Sequence, residues 1–69
     1  MKLIVNGTPA DVPDGTTVAR VVTDLTGTDR GGRGVAVAVN DDVVVRSAWS
    51  STVLTDGDTV EILTAVQGG

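Results

Sequence analysis

Only one segment of this chain carries the period of an amphipathic helix, and everything around it is cut into strand-length pieces. Val18, Val21, Val22 and Leu25 fall at i, i+3, i+4 and i+7, which puts them on one helical face. Arg20, Thr23 and Asp24 take the outward side. Thr16 or Thr17 offers a hydroxyl to cap the start, and Gly27 suits a left-handed end. Valine is a poor helix former, so this element must be held by packing against something else.

The remaining apolar runs supply that partner. Leu3-Ile4-Val5 reads as a strand, Asn6-Gly7 as a tight turn, and Ala10-Asp11-Val12 as a short returning strand, the pattern of a hairpin. Pro9 and Pro13 flank the second strand, and proline cannot donate to a ladder, so it belongs at a sheet edge. A glycine-rich loop follows the helix from Gly27 to Gly34. Val35-Ala36-Val37-Ala38-Val39 then alternates large and small, a strand with its valines toward the core. Asn40-Asp41-Asp42 turns the chain into a third apolar run, Val43-Val44-Val45. Trp49, the one aromatic residue, anchors the irregular stretch after Arg46 against the core edge. Asp56-Gly57-Asp58 makes another turn. Thr59 to Ala65 is the last strand, with Val60 and Ile62 on one face and Glu61 and Leu63 on the other. The fold class is therefore α+β: one main helix packed on one face of a mixed sheet of roughly four to five strands. A hairpin, a right-handed crossover through the helix and a final central strand describe a β-grasp.

Composition narrows the chemistry sharply. At 69 residues there is room for one small core, and a domain of this size buries only about 60% of its unfolded surface. Disulfides and metals are the common staples for such domains, but the chain has neither cysteine nor histidine. Serine–histidine and cysteine–histidine catalysis are excluded, as are cysteine–histidine zinc sites. A phosphate-binding P-loop needs a lysine that Lys2 cannot supply. The pairs Asp41-Asp42 and Asp56/Asp58 sit in turns, where aspartate bonds to nearby backbone, so no metal site is expected. Arg30-Gly31-Gly32-Arg33-Gly34 is a single arginine–glycine copy without interleaved aromatics. The net charge of −4 also argues against a nucleic-acid partner. No stretch approaches a membrane span, and Met1 to Asn6 is too short for a signal peptide's apolar region. Asn6-Gly7-Thr8 is a hairpin turn rather than a glycosylation site. A cytoplasmic protein without an active site of its own is expected.

The five last residues, Ala65-Val66-Gln67-Gly68-Gly69, span at most ~16–18 Å when extended. Glycines without Cβ atoms can lie in a slot too narrow for any other residue. The chain thus divides into a β-grasp domain over residues 1–64 and a flexible tail over 65–69. A small fold without catalytic residues and with such an ending suits a substrate of enzymes better than an enzyme. All five basic side chains precede residue 47, whereas Asp56, Asp58 and Glu61 follow it, an asymmetry that suits a basic docking surface or ordinary solubility.

These residues resemble the ubiquitin-like sulfur carrier proteins of thiamine biosynthesis, the thiazole-forming pathway. The resemblance runs from the Asn6-Gly7 turn through Thr17-Val18 and Val37-Ala38-Val39-Asn40 to Val45-Arg46 and Trp49. It continues through Leu54, Asp56-Gly57-Asp58 and Val60-Glu61-Ile62 to Ala65-Val66-Gln67-Gly68-Gly69, covering essentially the whole chain. One departure is Val45, where the family often has proline before its arginine.

The resemblance implies a mechanism. An adenylyltransferase of the ubiquitin-activating type would use ATP to adenylate the Gly69 carboxylate. A persulfide from a cysteine desulfurase or sulfurtransferase system would displace AMP, leaving a C-terminal thiocarboxylate that thiazole synthase consumes. Gly69 is then the covalent attachment point, and Gly68 and Gln67 thread into partner active sites. No cofactor is bound; the cargo is sulfur, and the ATP belongs to the partner. Docking would use the exposed face of the sheet. Alternatives are the small subunit of molybdopterin synthase, a tRNA-thiolation carrier or a protein-conjugating modifier, and, from another class, a β-grasp binding module with an incidental tail. The molybdopterin group tends to be longer and to carry proline before its terminal glycines, where this chain has Ala65-Val66-Gln67.

Overall fold

The computed structural model describes residues 1–26 and 34–64. Five strands, one α-helix and one 3-10 helix follow in the order β1 (Lys2–Val5), β2 (Thr8–Asp11), α1 (Val18–Thr26), β3 (Val35–Val39), β4 (Asp42–Val44), the 3-10 helix (Arg46–Ser51) and β5 (Thr59–Thr64). The strands form one mixed sheet ordered β2-β1-β5-β3-β4. The last strand lies in the middle, parallel to β1 and antiparallel to β3. This is the expected ubiquitin-like β-grasp.

Turn chemistry sets the sheet's register. Asn6 and Gly7 both take positive φ, +50° and +80°, so the strands resume immediately on either side of them, as a twisted hairpin requires. The second strand consequently begins at Thr8, earlier than the Ala10–Val12 expected from sequence, and Pro9 lies inside it opposite Ile4. Its edge position is as expected. In this register Pro9 occupies a non-hydrogen-bonded pair, so its missing N–H faces the open edge. Asn40 and Asp41 repeat the arrangement at +50° and +72° between β3 and β4. That tight turn draws Asp42 into β4 and leaves Val45 outside it, so the expected run Val43–Val45 does not form one buried strand.

The core is aliphatic. Leu3, Val37, Val60 and Ile62 from the sheet meet Val18 and Val21 from the helix, closed off by Trp49 and Leu54. Leu25 was expected on the buried helical face but is 50% exposed, because the last helical turn extends past the valines that carry the packing. Between the two candidate caps, Thr17 accepts the N–H of Arg20 at 3.2 Å, while the Thr16 hydroxyl donates to the Pro13 carbonyl at 2.6 Å. The first helical donor, Val18 N–H, is taken by the Thr52 carbonyl at 3.0 Å, and Leu54 N–H reaches the Thr16 carbonyl at 2.9 Å. The segment after the 3-10 helix therefore straps the helix start. Trp49 is buried as expected, though from a regular 3-10 turn rather than an irregular stretch. Its indole N–H donates to the Val44 carbonyl at 2.8 Å. The expected helix end at Gly27 and most of the glycine-rich loop lie outside the described residues.

Candidate functional site

Gly69, Gly68 and Gln67, the predicted site residues, lie outside the described residues, as does the rest of the tail. What the structure positions is the strand that leads to them. β5 ends at Thr64, and paired strands flank it on both sides.

Both ends of β5 are fixed by side chains standing in for backbone. At the entry, Asn40 Oδ1 accepts Thr59 N–H at 3.0 Å and Asn40 Nδ2 donates to Asp58 at 2.9 Å. Asp58 closes the preceding turn by accepting Thr55 N–H at 2.8 Å and the Thr55 hydroxyl at 3.0 Å. The backbone bond from Thr55, then the bond from Asn40, hold the Asp58 carboxyl below its ordinary value, since both favour the ionised form. Asp56 accepts Lys2 N–H at 2.7 Å, so both acids of this turn serve the backbone, as the sequence suggested. Toward the exit, Asn6 Oδ1 accepts Ile62 N–H at 2.8 Å and Asn6 Nδ2 donates to the Ile62 carbonyl at 3.1 Å.

The sheet face away from the helix is open. Ladder register places Ala36 opposite Leu63 and Ala38 opposite both Glu61 and Val43 on that face. Leu63 is 71% and Val43 76% exposed, and the two alanines between them keep the surface low. Sequence alternation alone put Leu63 on the outer face; that Val43 joins it follows only from the pairing of β3 with β4. Among the described residues no cluster of three or more acidic side chains converges to hold a metal ion. Nor is any described helix long and apolar enough to cross a membrane.

Comparison with known proteins agrees with this geometry. The crystal structure of the thiamine biosynthesis protein (ThiS) from Geobacter metallireducens is 34% identical, superposes with a TM-score of 0.78 and is covered in full by the full length of this chain. The NMR solution structure of a thiamine biosynthesis protein from the same organism gives 32% identity and a TM-score of 0.74, over all of this chain and 88% of the other. No curated protein matches significantly. The ThiS family model matches residues 3–69, from the first strand through the terminal glycines. The chain belongs to the ThiS family, the ubiquitin-like sulfur carriers that its residues resemble.

Proposed function

We propose that this protein carries sulfur as a thiocarboxylate on Gly69 for formation of the thiazole ring in thiamine biosynthesis. The observation that supports this most is the family match running to Gly69 itself, on a fold whose central strand leads into that tail. The carboxylate oxygen of Gly69 attacks the α-phosphorus of ATP in an adenylyltransferase, releasing pyrophosphate and leaving an acyl-adenylate. A persulfide sulfur then attacks the acyl carbon and AMP departs with the C–O bonding pair. A second thiol reduces the resulting acyl disulfide, freeing the thiocarboxylate. Gly68 and Gln67 thread the activating site, because a side chain at position 68 would widen the tail where the slot is narrowest. The protein is a substrate and donor in these steps; ATP, persulfide and thiol come from its partners.

The open sheet face is the docking surface for the adenylyltransferase. Leu63 lies on the strand that delivers the tail, so a partner receiving Gly69 approaches along this side. An apolar partner surface would cover Leu63 and Val43, with a cationic group facing Glu61.

Intact-mass measurement after incubation with the cognate adenylyltransferase, ATP and a persulfide donor tests the reading. Replacement of one oxygen by one sulfur is expected in the wild type and not in a Gly69-deleted control. No change in the wild type, with an enzyme proven active on another carrier, overturns it. Adding thiazole synthase then distinguishes thiazole formation from delivery to a molybdopterin or tRNA acceptor.

A further inference from the structure

Asn6 does more than turn the first hairpin. Ile4 N–H donates to the Asp58 carbonyl and Asn6 N–H to the Val60 carbonyl, both at 2.9 Å, successive rungs of the parallel β1–β5 ladder. In a regular parallel ladder the next rung would run from Ile62 N–H to the main-chain carbonyl of residue 6. At Asn6 the backbone has already swung to positive φ, taking β1 away from β5. The side-chain amide fills the gap: Oδ1 accepts from Ile62 N–H and Nδ2 donates to the Ile62 carbonyl. One amide thereby replaces a whole peptide unit and prolongs the ladder by a rung that the main chain cannot make.

The placement of that rung matters. The side-chain bonds join residues 56 positions apart and grip β5 two residues before its end at Thr64. On its other side β5 remains paired with β3 through Thr64, so without Asn6 the exit would be held along one edge only. Resting on the carrier reading above, we infer that Asn6 is a positioning residue for sulfur loading. Its amide fixes the direction in which β5 hands the tail to the adenylyltransferase. The effect belongs in recognition of the carrier, not in chemistry at Gly69, because a tail that has entered the active site presents the same carboxylate.

Asn40 provides an internal control. It has the same residue type, the same positive φ and the same use of a side-chain amide, but it holds the entry of β5 at Thr59. Glycine accepts positive φ without strain, so Asn6→Gly and Asn40→Gly each remove the amide while sparing the turn. With the adenylyltransferase, ATP and a persulfide donor, Asn6→Gly, which loses both amide hydrogen bonds, is expected to raise the KM for the carrier about tenfold. Its kcat should stay within about twofold. Asn40→Gly should leave KM at the wild-type value. Asn6→Asp, which keeps the acceptor but loses the donor, should fall between wild type and Asn6→Gly and serves if the glycine variant folds poorly. Equal KM changes for the two glycine variants, or none for Asn6→Gly, would overturn the inference. If the wild type takes up no sulfur, the carrier reading fails, and amide exchange in the free protein decides the role of Asn6. Exchange at Ile62 and disorder at Leu63 and Thr64 should then rise in Asn6→Gly and not in Asn40→Gly. Unchanged values in Asn6→Gly count against it.

Discussion

At the scale of single residues, the chain places amides and carboxylates where backbone partners run out. Asp58 accepts from Thr55 and Asn40, and both bonds favour the ionised carboxyl. Its folded-state pKa lies below the ordinary value of 3.8, so the carboxylate stabilises the fold fully above that value. The contribution fades as pH falls through 3.8 and on through the lower folded value. Asp58→Asn should therefore lower the melting temperature at neutral pH, and the gap to wild type should close on acidification. Thermal unfolding monitored by Trp49 fluorescence between neutral pH and strongly acidic pH checks this. A gap that stays constant with pH would show that the charge is not what matters.

At the scale of elements, the alternation of β3 and β5 separates two jobs. Val37, Val60 and Ile62 build the core, while Leu63 and the β4 residue Val43 remain on the open face. Both exposed positions should tolerate Thr, which keeps β-propensity while removing apolar surface. The double variant Val43→Thr/Leu63→Thr is expected to change stability by no more than about 0.5 kcal/mol per site. It should weaken binding to the adenylyltransferase by about tenfold or more if these side chains anchor the interface. Calorimetric titration and melting curves on the same samples separate the two effects. The helix start offers a complementary test of local structure. Thr17→Ala removes the acceptor for Arg20 N–H and should cost about 1 kcal/mol, visible as a lower midpoint in urea unfolding.

At the scale of the whole molecule, the carrier reading predicts that the folded body and the carboxyl end that would be loaded with sulfur are separable. Among the described residues the buried ones all lie between Thr16 and Ile62 or at Leu3, and Thr64, the last described residue before the tail, is not one of them. Deleting Gly68 and Gly69 should shift the melting temperature by no more than about 3 °C and still abolish thiocarboxylate formation. A binding module with an incidental tail would keep its partner and its activity after the same deletion. Undiminished partner binding and activity in the truncated protein would favour that alternative.

The sequence by itself determined the elements and their chemistry. Helical spacing of Val18, Val21 and Val22, positive-φ residues at Asn6-Gly7 and strict alternation in Val35–Val39 are local signals, read from neighbours a few positions apart. The absence of cysteine and histidine bounded the chemistry just as directly. Boundaries were less legible. Pro9 looked like a flank and proved to lie inside an edge strand, because a strand pair needs a missing N–H only to face outward. Leu25 fitted the helical period, yet the core ended one turn earlier. Only the tertiary structure decided which exposed side chains share a face and what holds the exit of β5. Those facts depend on contacts such as Asn6 with Ile62, 56 positions apart, whose partners are chosen by strand order and register. No local pattern of residue types encodes that choice; it emerges when the last strand inserts at the centre of the sheet.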